Sequence, residues 1–119
     1  MDCLFCKMLS GEIPYKKVYE NEMVFAILDI NPEAAGHTLV IPKKHICDIY
    51  EMDNNTLNAL LDAGKLVGEE IIEKLKKTGF SLTINYGSCQ EIKHLHMHII
   101  PNKNKKELSI DEVYNQMKK

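Results

Sequence analysis

The chain carries no strong excess of charge of either sign and no long apolar run. Its net charge is −2 at pH 7, whereas a dedicated nucleic-acid-binding protein normally shows a strong excess of lysine and arginine. No apolar stretch approaches the roughly 18 residues that a membrane-spanning helix needs. The first residues, MDCLFCKMLSGEIP, lack the basic start and the apolar run of a secretion signal. These absences predict a cytoplasmic protein with neither nucleic acid nor membrane among its partners.

The composition that remains is that of an ordinary globular domain. The chain has 119 residues, 45% of them hydrophobic, and no repeat, low-complexity tract or linker. Residues 1–119 are therefore expected to form one domain with a modest core. Cysteines in the cytoplasm are mostly reduced. The pair Cys3 and Cys6 thus suggests metal or redox chemistry, with two ordinary thiols as the alternative; Cys47 and Cys89 have no evident partner.

Apolar alternation and turn residues predict five short strands. They are expected at Lys17–Glu20, 23–29, 37–41, 80–85 and 93–100. Strands in hairpin succession, together with one long helix, indicate an α+β domain with an antiparallel sheet. The helix is expected to cover one face of this sheet and to leave the other face open.

Three segments have helical patterns. A short helix is predicted at 2–9 with Asp2 as its N-cap, and a terminal helix at Ile110–Met117 with Ser109 and Glu112 as its capping box. The longest helix is predicted at 54–77, with Gly79 as its stop. Its expected apolar stripe comprises Leu57, Leu60, Leu61, Gly64, Val67, Gly68, Ile71 and Leu75.

The most informative segment is HLHMH at residues 94–98. Side chains on a strand alternate between the two faces, so His94, His96 and His98 are predicted to share one face while Leu95 and Met97 enter the core. The outer two imidazoles would lie roughly 13 Å apart at Cα, which is too far for a single zinc ion bound at about 2.0–2.1 Å by each nitrogen. Three histidines on one strand therefore do not form a metal cage.

A covalent nucleophile with a partner on each side fits this row better. A neutral imidazole attacks phosphorus readily, and water can then hydrolyse the phospho-histidine. Neighbouring imidazoles can bind the phosphoryl oxygens and protonate the leaving group. The middle residue, His96, is then the predicted nucleophile. The alternative is a solvent-facing strand that happens to be rich in histidine.

Three segments of the chain closely resemble the histidine triad (HIT) superfamily, and within it the short Hint-like branch. They are HLHMHII, the block LDINPEAAGHTLVIPKKHI at 28–46, and CLFCKMLSGEIP at 3–14. The resemblance implies a five-stranded antiparallel sheet with one long and one short helix, and a dimer with a continuous ten-stranded sheet. It also implies an enzyme that cleaves nucleoside 5′-phosphoramidates, or related nucleoside monophosphate esters and anhydrides, through a nucleotidyl-histidine intermediate that needs no cofactor.

The resemblance also assigns roles to individual residues. His96 corresponds to the nucleophile, His98 to the group that binds phosphate and assists the leaving group, His94 to a support for His96, and His37 to a histidine beside the triad. Asp29 corresponds to a ribose-binding carboxylate. Further positions that correspond to the binding site for a purine nucleotide, AMP or GMP in type, are Leu4, Phe5, Met8, Ile27 and Ile30 for the base and Asn85 and Gln90 for the phosphate.

A structural zinc ion is a further implication of the resemblance. Some bacterial HIT proteins bind zinc through a CxxC pair, the histidine of the PKKH segment and the first histidine of the triad. In this chain, those positions are Cys3, Cys6, His45 and His94. Such an ion would hold the N-terminal segment against the triad and fix the orientation of His94.

Other interpretations of the sequence remain open. One is a dinucleoside polyphosphate hydrolase of the Fhit kind, although such chains tend to be longer. The uridylyltransferase branch of the superfamily has glutamine in place of the third histidine, so His98 argues against sugar-phosphate transfer. Two non-enzymatic alternatives are a nucleotide-binding or scaffolding protein that kept the fold, and a zinc-binding structural module. Glu91 stands where animal Hint proteins have serine, and its role is open.

Overall fold

A computed structural model describes residues 3–119 as a five-stranded antiparallel sheet with three α-helices. The α+β fold with a five-stranded antiparallel sheet is confirmed. In chain order, the elements are α1 (Leu4–Leu9), β1 (Lys17–Glu20), β2 (Val24–Leu28), β3 (Thr38–Pro42), α2 (Asn54–Leu75), β4 (Phe80–Ile84), a 3₁₀ turn (Gly87–Cys89), β5 (Met97–Pro101) and α3 (Ile110–Met117). The strands lie in the order β1-β2-β3-β5-β4. None of the helices within 3–119 has the length and apolar character to cross a membrane.

Each face of the sheet has its own apolar cluster. Alternate residues of the central strands, such as Val24 in β2 and Val40 in β3, pack with the stripe of α2. Their neighbours Phe25 and Ile41 face the other way and pack with Phe5 from α1. The second face, expected to be open, is therefore open only in part, because the N-terminal segment covers some of it. Asp2, the predicted N-cap of α1, lies outside the described residues, and Cys3 occupies the N-cap position.

The long helix α2 begins as predicted and ends earlier. The side chain of Asp53 accepts a hydrogen bond from the Thr56 backbone N–H at 2.8 Å and caps the N-terminus. The last helical residue is Leu75, because Lys76 already adopts the left-handed conformation at φ 58°. The predicted end at residue 77 was therefore two residues too late (77 − 75). Leu61, assigned to the apolar stripe, is 40% exposed.

The predicted strand 93–100 begins later in the structure, at Met97. In the β3–β5 register, Val40 pairs with Met97, so Leu95 would face Pro42 if the ladder continued. Pro42 has no N–H to donate to β5, and its carbonyl oxygen accepts from His94 Nε2 at 2.8 Å. The Leu95 N–H bonds instead to the carbonyl oxygen of Ile46 at 2.6 Å. His98 alone of the three histidines lies within β5; His94 and His96 precede it.

Candidate active site and Cys/His cluster

The two-residue alternation nevertheless continues through the segment before β5. Leu95, Met97 and Ile99 are all buried in the cluster on the α2 side of the sheet. His94 and His96 are also buried, but they contact Phe5 of α1 in edge-on geometry, with ring centroids 5.7 and 5.1 Å away. The predicted separation of imidazoles from apolar side chains therefore holds even though the hydrogen-bonded ladder does not extend that far.

The protonation of His96 follows from its backbone partner. Its Nδ1 lies 2.9 Å from the carbonyl oxygen of His94. Because a carbonyl oxygen only accepts, Nδ1 must carry the proton and donate it. In the neutral ring, Nε2 then keeps its lone pair, which is the form that a nucleophile requires.

His37 and His98 form a directed pair next to His96. The backbone N–H of Glu33 donates to His37 Nδ1 at 3.1 Å, so the proton of neutral His37 is on Nε2. This Nε2–H lies 2.9 Å from His98 Nδ1 and 3.5 Å from Asp29 Oδ2. His98 Nδ1 therefore accepts, and the proton of neutral His98 is on its Nε2. The rings of His96 and His98 lie 4.9 Å apart.

Burial favours the neutral form of each of these imidazoles. It lowers the pKa of His37, His96 and His98 from the ordinary histidine value. Asp29 acts in the opposite direction on all three, and its attraction is smaller than the effect of burial. His96 therefore offers an unprotonated Nε2, and neighbouring His98 offers an Nε2–H that can donate.

The side chains of Asp29, His37 and His98 also lie close enough together to suggest a metal site. The contacts of His37 argue against that assignment. Its Nδ1 already accepts from Glu33, so binding a cation through Nε2 would require a ring without any proton. Without a metal ion, both nitrogens of His37 already have partners: Nδ1 accepts from Glu33, and Nε2–H donates to His98 beside Asp29.

An open cleft of about 1020 Å³ lies over these imidazoles. Nearly all of the residues predicted to bind a nucleotide line it, together with His37: they are Leu4, Phe5, Met8, Ile27, Asp29, Ile30, Asn85, His96 and His98. Gln90 does not line it. Its side-chain amide is turned away and donates to the carbonyl oxygen of Cys47 at 2.6 Å.

The cleft also has walls that the sequence did not predict. Tyr15 and Lys16 line it from the segment before β1, and Ser109, Ile110 and Asp111 line it from the start of α3. Lys16 forms an ion pair with Asp111 at 3.2 Å. The capping box located α3 along the chain, but nothing in the local sequence indicated that this helix would meet the cleft.

A second cluster lies where the N-terminus of α1 meets the segment before β5. It contains Cys3, Cys6, His45 and His94, and one ligand atom from each residue lies within 4.8 Å of the others. His94 Nδ1 is 3.2 Å from the sulfur of Cys3 and 3.6 Å from that of Cys6, and His45 Nδ1 is 3.4 Å from Cys6. The structure thus brings together the CxxC pair and the two histidines that the family resemblance assigned to zinc.

The geometry and the protonation of this cluster suit a tetrahedral metal ion. A sulfur at about 2.3 Å and a nitrogen at about 2.0–2.1 Å from zinc lie roughly 3.6 Å apart, close to the distances observed. His94 Nε2 donates to the carbonyl oxygen of Pro42 at 2.8 Å, which leaves the Nδ1 lone pair facing the thiols. Burial raises the pKa of the Cys6 thiol, and a bound cation would reverse this by favouring the thiolate.

Comparison with known proteins agrees with the fold and the histidine row. The family model described as HIT domain matches residues 10–105. A HIT-like protein of Methanocaldococcus jannaschii is 48% identical over 102 residues, which cover 83% of this chain and 78% of that protein. A protein of Arabidopsis thaliana named adenylylsulfatase HINT3 is 39% identical over 104 residues, which cover 86% of this chain and 53% of that protein.

One similar protein of known structure contains zinc. The crystal structure of a zinc-bound histidine triad family protein from Mycobacterium smegmatis superimposes with a TM-score of 0.89 at 33% identity, covering 98% of this chain and 91% of that one. The chain belongs to the HIT family. This membership places it among nucleotide-binding proteins of the hydrolase type.

Proposed function

We propose that this protein hydrolyses nucleoside 5′-phosphoramidates, or related nucleoside monophosphate esters and anhydrides, through a nucleotide bound covalently to His96. The observation that carries the proposal is the hydrogen bond from His96 Nδ1 to the His94 carbonyl oxygen. It leaves Nε2 with a lone pair in a residue that lines a cleft large enough for a nucleotide.

The first step forms a nitrogen–phosphorus bond. His96 Nε2 attacks the α-phosphorus, and the bond from phosphorus to the leaving nitrogen or oxygen breaks. His98, which accepts from His37 on Nδ1, keeps its proton and donates a hydrogen bond from Nε2–H to the leaving atom, which takes its own proton from solvent water. The products are the nucleotidyl-histidine and the protonated leaving group.

The second step uses water and restores the enzyme. The neutral ring of His98 still donates from Nε2–H, now to a phosphoryl oxygen, while the attacking water gives one proton to solvent. The oxygen of that water bonds to phosphorus, the bond to His96 breaks, and a nucleoside monophosphate leaves. His37 holds His98 in the same orientation in both steps. Its Nε2–H donates to His98 Nδ1, and this hydrogen bond keeps the His98 proton on Nε2.

The cleft suits a purine nucleoside. We assign the ribose to Asp29, whose Oδ1 accepts from the Asn31 N–H at 2.8 Å while its remaining lone pairs are available for two hydroxyls. The amide of Asn85 is assigned to the phosphate. The apolar wall that would hold the base comprises Leu4, Phe5, Met8, Ile27 and Ile30. An apolar slot contacts a base face and reads its edges poorly, so both adenine and guanine are expected to bind.

We further propose that Cys3, Cys6, His45 and His94 hold a structural zinc ion. The support is the agreement between their spacing and tetrahedral Zn–S and Zn–N geometry. Zinc would provide a cross-link between α1 and the segment that carries His96. The reaction itself runs on the imidazoles.

The proposal is tested with a panel of substrates and two variants. The panel contains adenosine 5′-phosphoramidate, adenosine 5′-phosphosulfate, diadenosine polyphosphates and a nitrophenyl ester of AMP. We expect turnover of the mononucleotide compounds, a loss of at least about 10³-fold in kcat for His96→Ala, and AMP binding within threefold of the unaltered protein. A covalent adduct on His96 should be trapped by rapid acid quench and found by mass spectrometry.

The nitrophenyl ester separates the roles of the two histidines. Its phenolate leaves without a proton, so His98→Ala should form the adduct from this ester at a nearly normal rate and from the phosphoramidate slowly. His96→Ala should fail with both. Turnover of dinucleoside polyphosphates alone would favour the Fhit-type alternative, and nucleotide binding with no turnover of any compound would show that the proposed function is wrong.

A further inference from the structure

The turn that delivers His37 to the site is tightly constrained. The His37 N–H closes the turn by donating to the Ala34 carbonyl oxygen at 3.0 Å, and Gly36 has a φ of +97° at the third position, as in a type II turn. A Cβ on Gly36 would come within 2.7 Å of Leu75 on α2. The turn is therefore pressed against the end of α2, and its backbone conformation there requires glycine.

The backbone N–H of Ala35 points away from the turn and needs a hydrogen-bond acceptor. Ala35 is buried, and the hydrogen bond that closes the turn does not use its N–H. That N–H donates to Glu107 Oε1 at 2.9 Å. An unpaired buried N–H costs free energy comparable to a lost hydrogen bond, so this contact selects the observed position of the turn.

Glu107 is itself held in place by groups around the end of α2. Its Oε2 accepts from the Asn104 N–H and from the Lys77 ammonium, each at 3.0 Å. The Lys77 side chain is completely buried and also donates to the Asn102 carbonyl oxygen at 2.8 Å. Burial alone would raise the pKa of Glu107, and the hydrogen bonds from Ala35, Asn104 and Lys77 together lower it. Glu107 therefore presents a fixed, ionised carboxylate to the turn.

We propose that Glu107 is a positioning residue for His37: by binding the Ala35 N–H it holds the turn in the register that directs His37 Nε2 at His98 Nδ1. This inference rests on the proposed function, because it assigns His37 to that reaction. Glu107 lies beyond residues 10–105, the part of the chain that matches the HIT family model, so it is an assignment from this structure and not from that match.

Glu107→Ala tests the proposal, with Lys77→Met as the matched control. Glu107→Ala removes the acceptor for Ala35, so we expect kcat for the phosphoramidate to fall about tenfold while KM stays within twofold, because a small misplacement of His37 affects chemistry more than binding. Lys77→Met removes one of the two donors to Oε2 but leaves the bond between Oε1 and the Ala35 N–H, so its loss of kcat should be clearly smaller than that of Glu107→Ala. Both variants are assayed well below their unfolding temperatures.

A second readout does not depend on turnover. Ring ¹⁵N NMR distinguishes the protonated from the unprotonated nitrogen of His37. We expect the unaltered protein and Lys77→Met to show one tautomer, with the proton on Nε2, and Glu107→Ala to show a mixture. If the unaltered protein turned over nothing, the proposed function would fail while this comparison still decided the role of Glu107.

Two results would overturn the inference: normal kcat with a single tautomer in Glu107→Ala, or equal losses of kcat in Glu107→Ala and Lys77→Met. If Glu107→Ala does not fold, Glu107→Asp replaces it. Aspartate keeps an anion for Lys77 but withdraws about 1.5 Å from Ala35. The same loss of kcat and the same mixture of tautomers are then expected, and their absence overturns the proposal.

Discussion

Backbone groups decide where the imidazole protons lie. The carbonyl oxygens of His94 and Pro42 each accept from one ring, and the N–H of Glu33 donates to a third. Backbone dipoles are part of the folded chain and do not titrate, so the tautomers persist as long as the fold does. The histidine segment and the Cys/His cluster share one feature: a hydrogen bond to the backbone occupies one ring nitrogen, and the other nitrogen faces the site.

The pH dependence of activity follows from His98. Burial lowers its pKa and neighbouring His37 lowers it further, while the carboxylates of Asp29, Glu33 and Glu91 act in the opposite direction. A lowered pKa keeps His98 neutral to a lower pH than usual; a second proton, on Nδ1, would break the bond from His37. We therefore expect kcat/KM to be level through neutral pH and to fall only below about pH 6.5, the ordinary histidine value.

The matched variant for this prediction is His37→Gln. It removes one cause of the lowered pKa of His98, so the acid limb of its pH–rate profile should move to higher pH even though its maximum rate is lower. An acid limb at or above pH 6.5 in the unaltered protein, or a shift to lower pH in the variant, would contradict the prediction.

For the helices and strands, the sequence correctly predicted those features that depend on contacts between residues close together in the chain. The alternation of histidine with apolar residues gave the correct face for each side chain, and the capping box of Ser109 and Glu112 located α3. The start of β5 was missed because it depends on Pro42, a residue of another strand. The same limit applies to Gln90 and Glu107. The hydrogen-bond partner of Gln90 is 43 residues away in sequence and that of Glu107 is 72 residues away, so no local pattern predicts either contact.

Helix α1 should depend on the Cys/His cluster. Its N-cap, Cys3, and its third residue, Cys6, are two of the four proposed zinc ligands. We expect the double change of Cys3 and Cys6 to alanine to abolish zinc in the purified protein, measured by inductively coupled plasma mass spectrometry, and to lower Tm by at least about 5 °C. Cys89→Ala is the control: Cys89 is exposed and lies outside the four-residue cluster, so this variant should keep one zinc per chain. A native protein free of metal, or a double variant of unchanged Tm, would refute the zinc site.

For the whole molecule, one edge of the sheet carries exposed apolar side chains. β4 is an edge strand, with β5 as its neighbour on one side within the described chain. Leu82 of β4 is 37% exposed and packs next to Gly64 of α2, and Leu61, one turn earlier on α2, is also exposed. An unpaired strand edge beside exposed leucines is a template for pairing with another chain. We predict that this edge forms the interface of the homodimer with a ten-stranded sheet that the family resemblance implies.

A charge at this edge should separate the subunits. We expect the unaltered protein to sediment as a dimer and Leu82→Lys to sediment as a monomer at the same concentration, because pairing would bury an ammonium group beside its symmetry mate. Met23→Lys is the control: Met23 is 43% exposed, just before β2 and at the other side of the sheet, and its variant should remain a dimer. Circular dichroism of Leu82→Lys should show the native fold, since the side chain already contacts solvent. A dimeric Leu82→Lys, or a monomeric unaltered protein, would mean that the chain does not pair through β4.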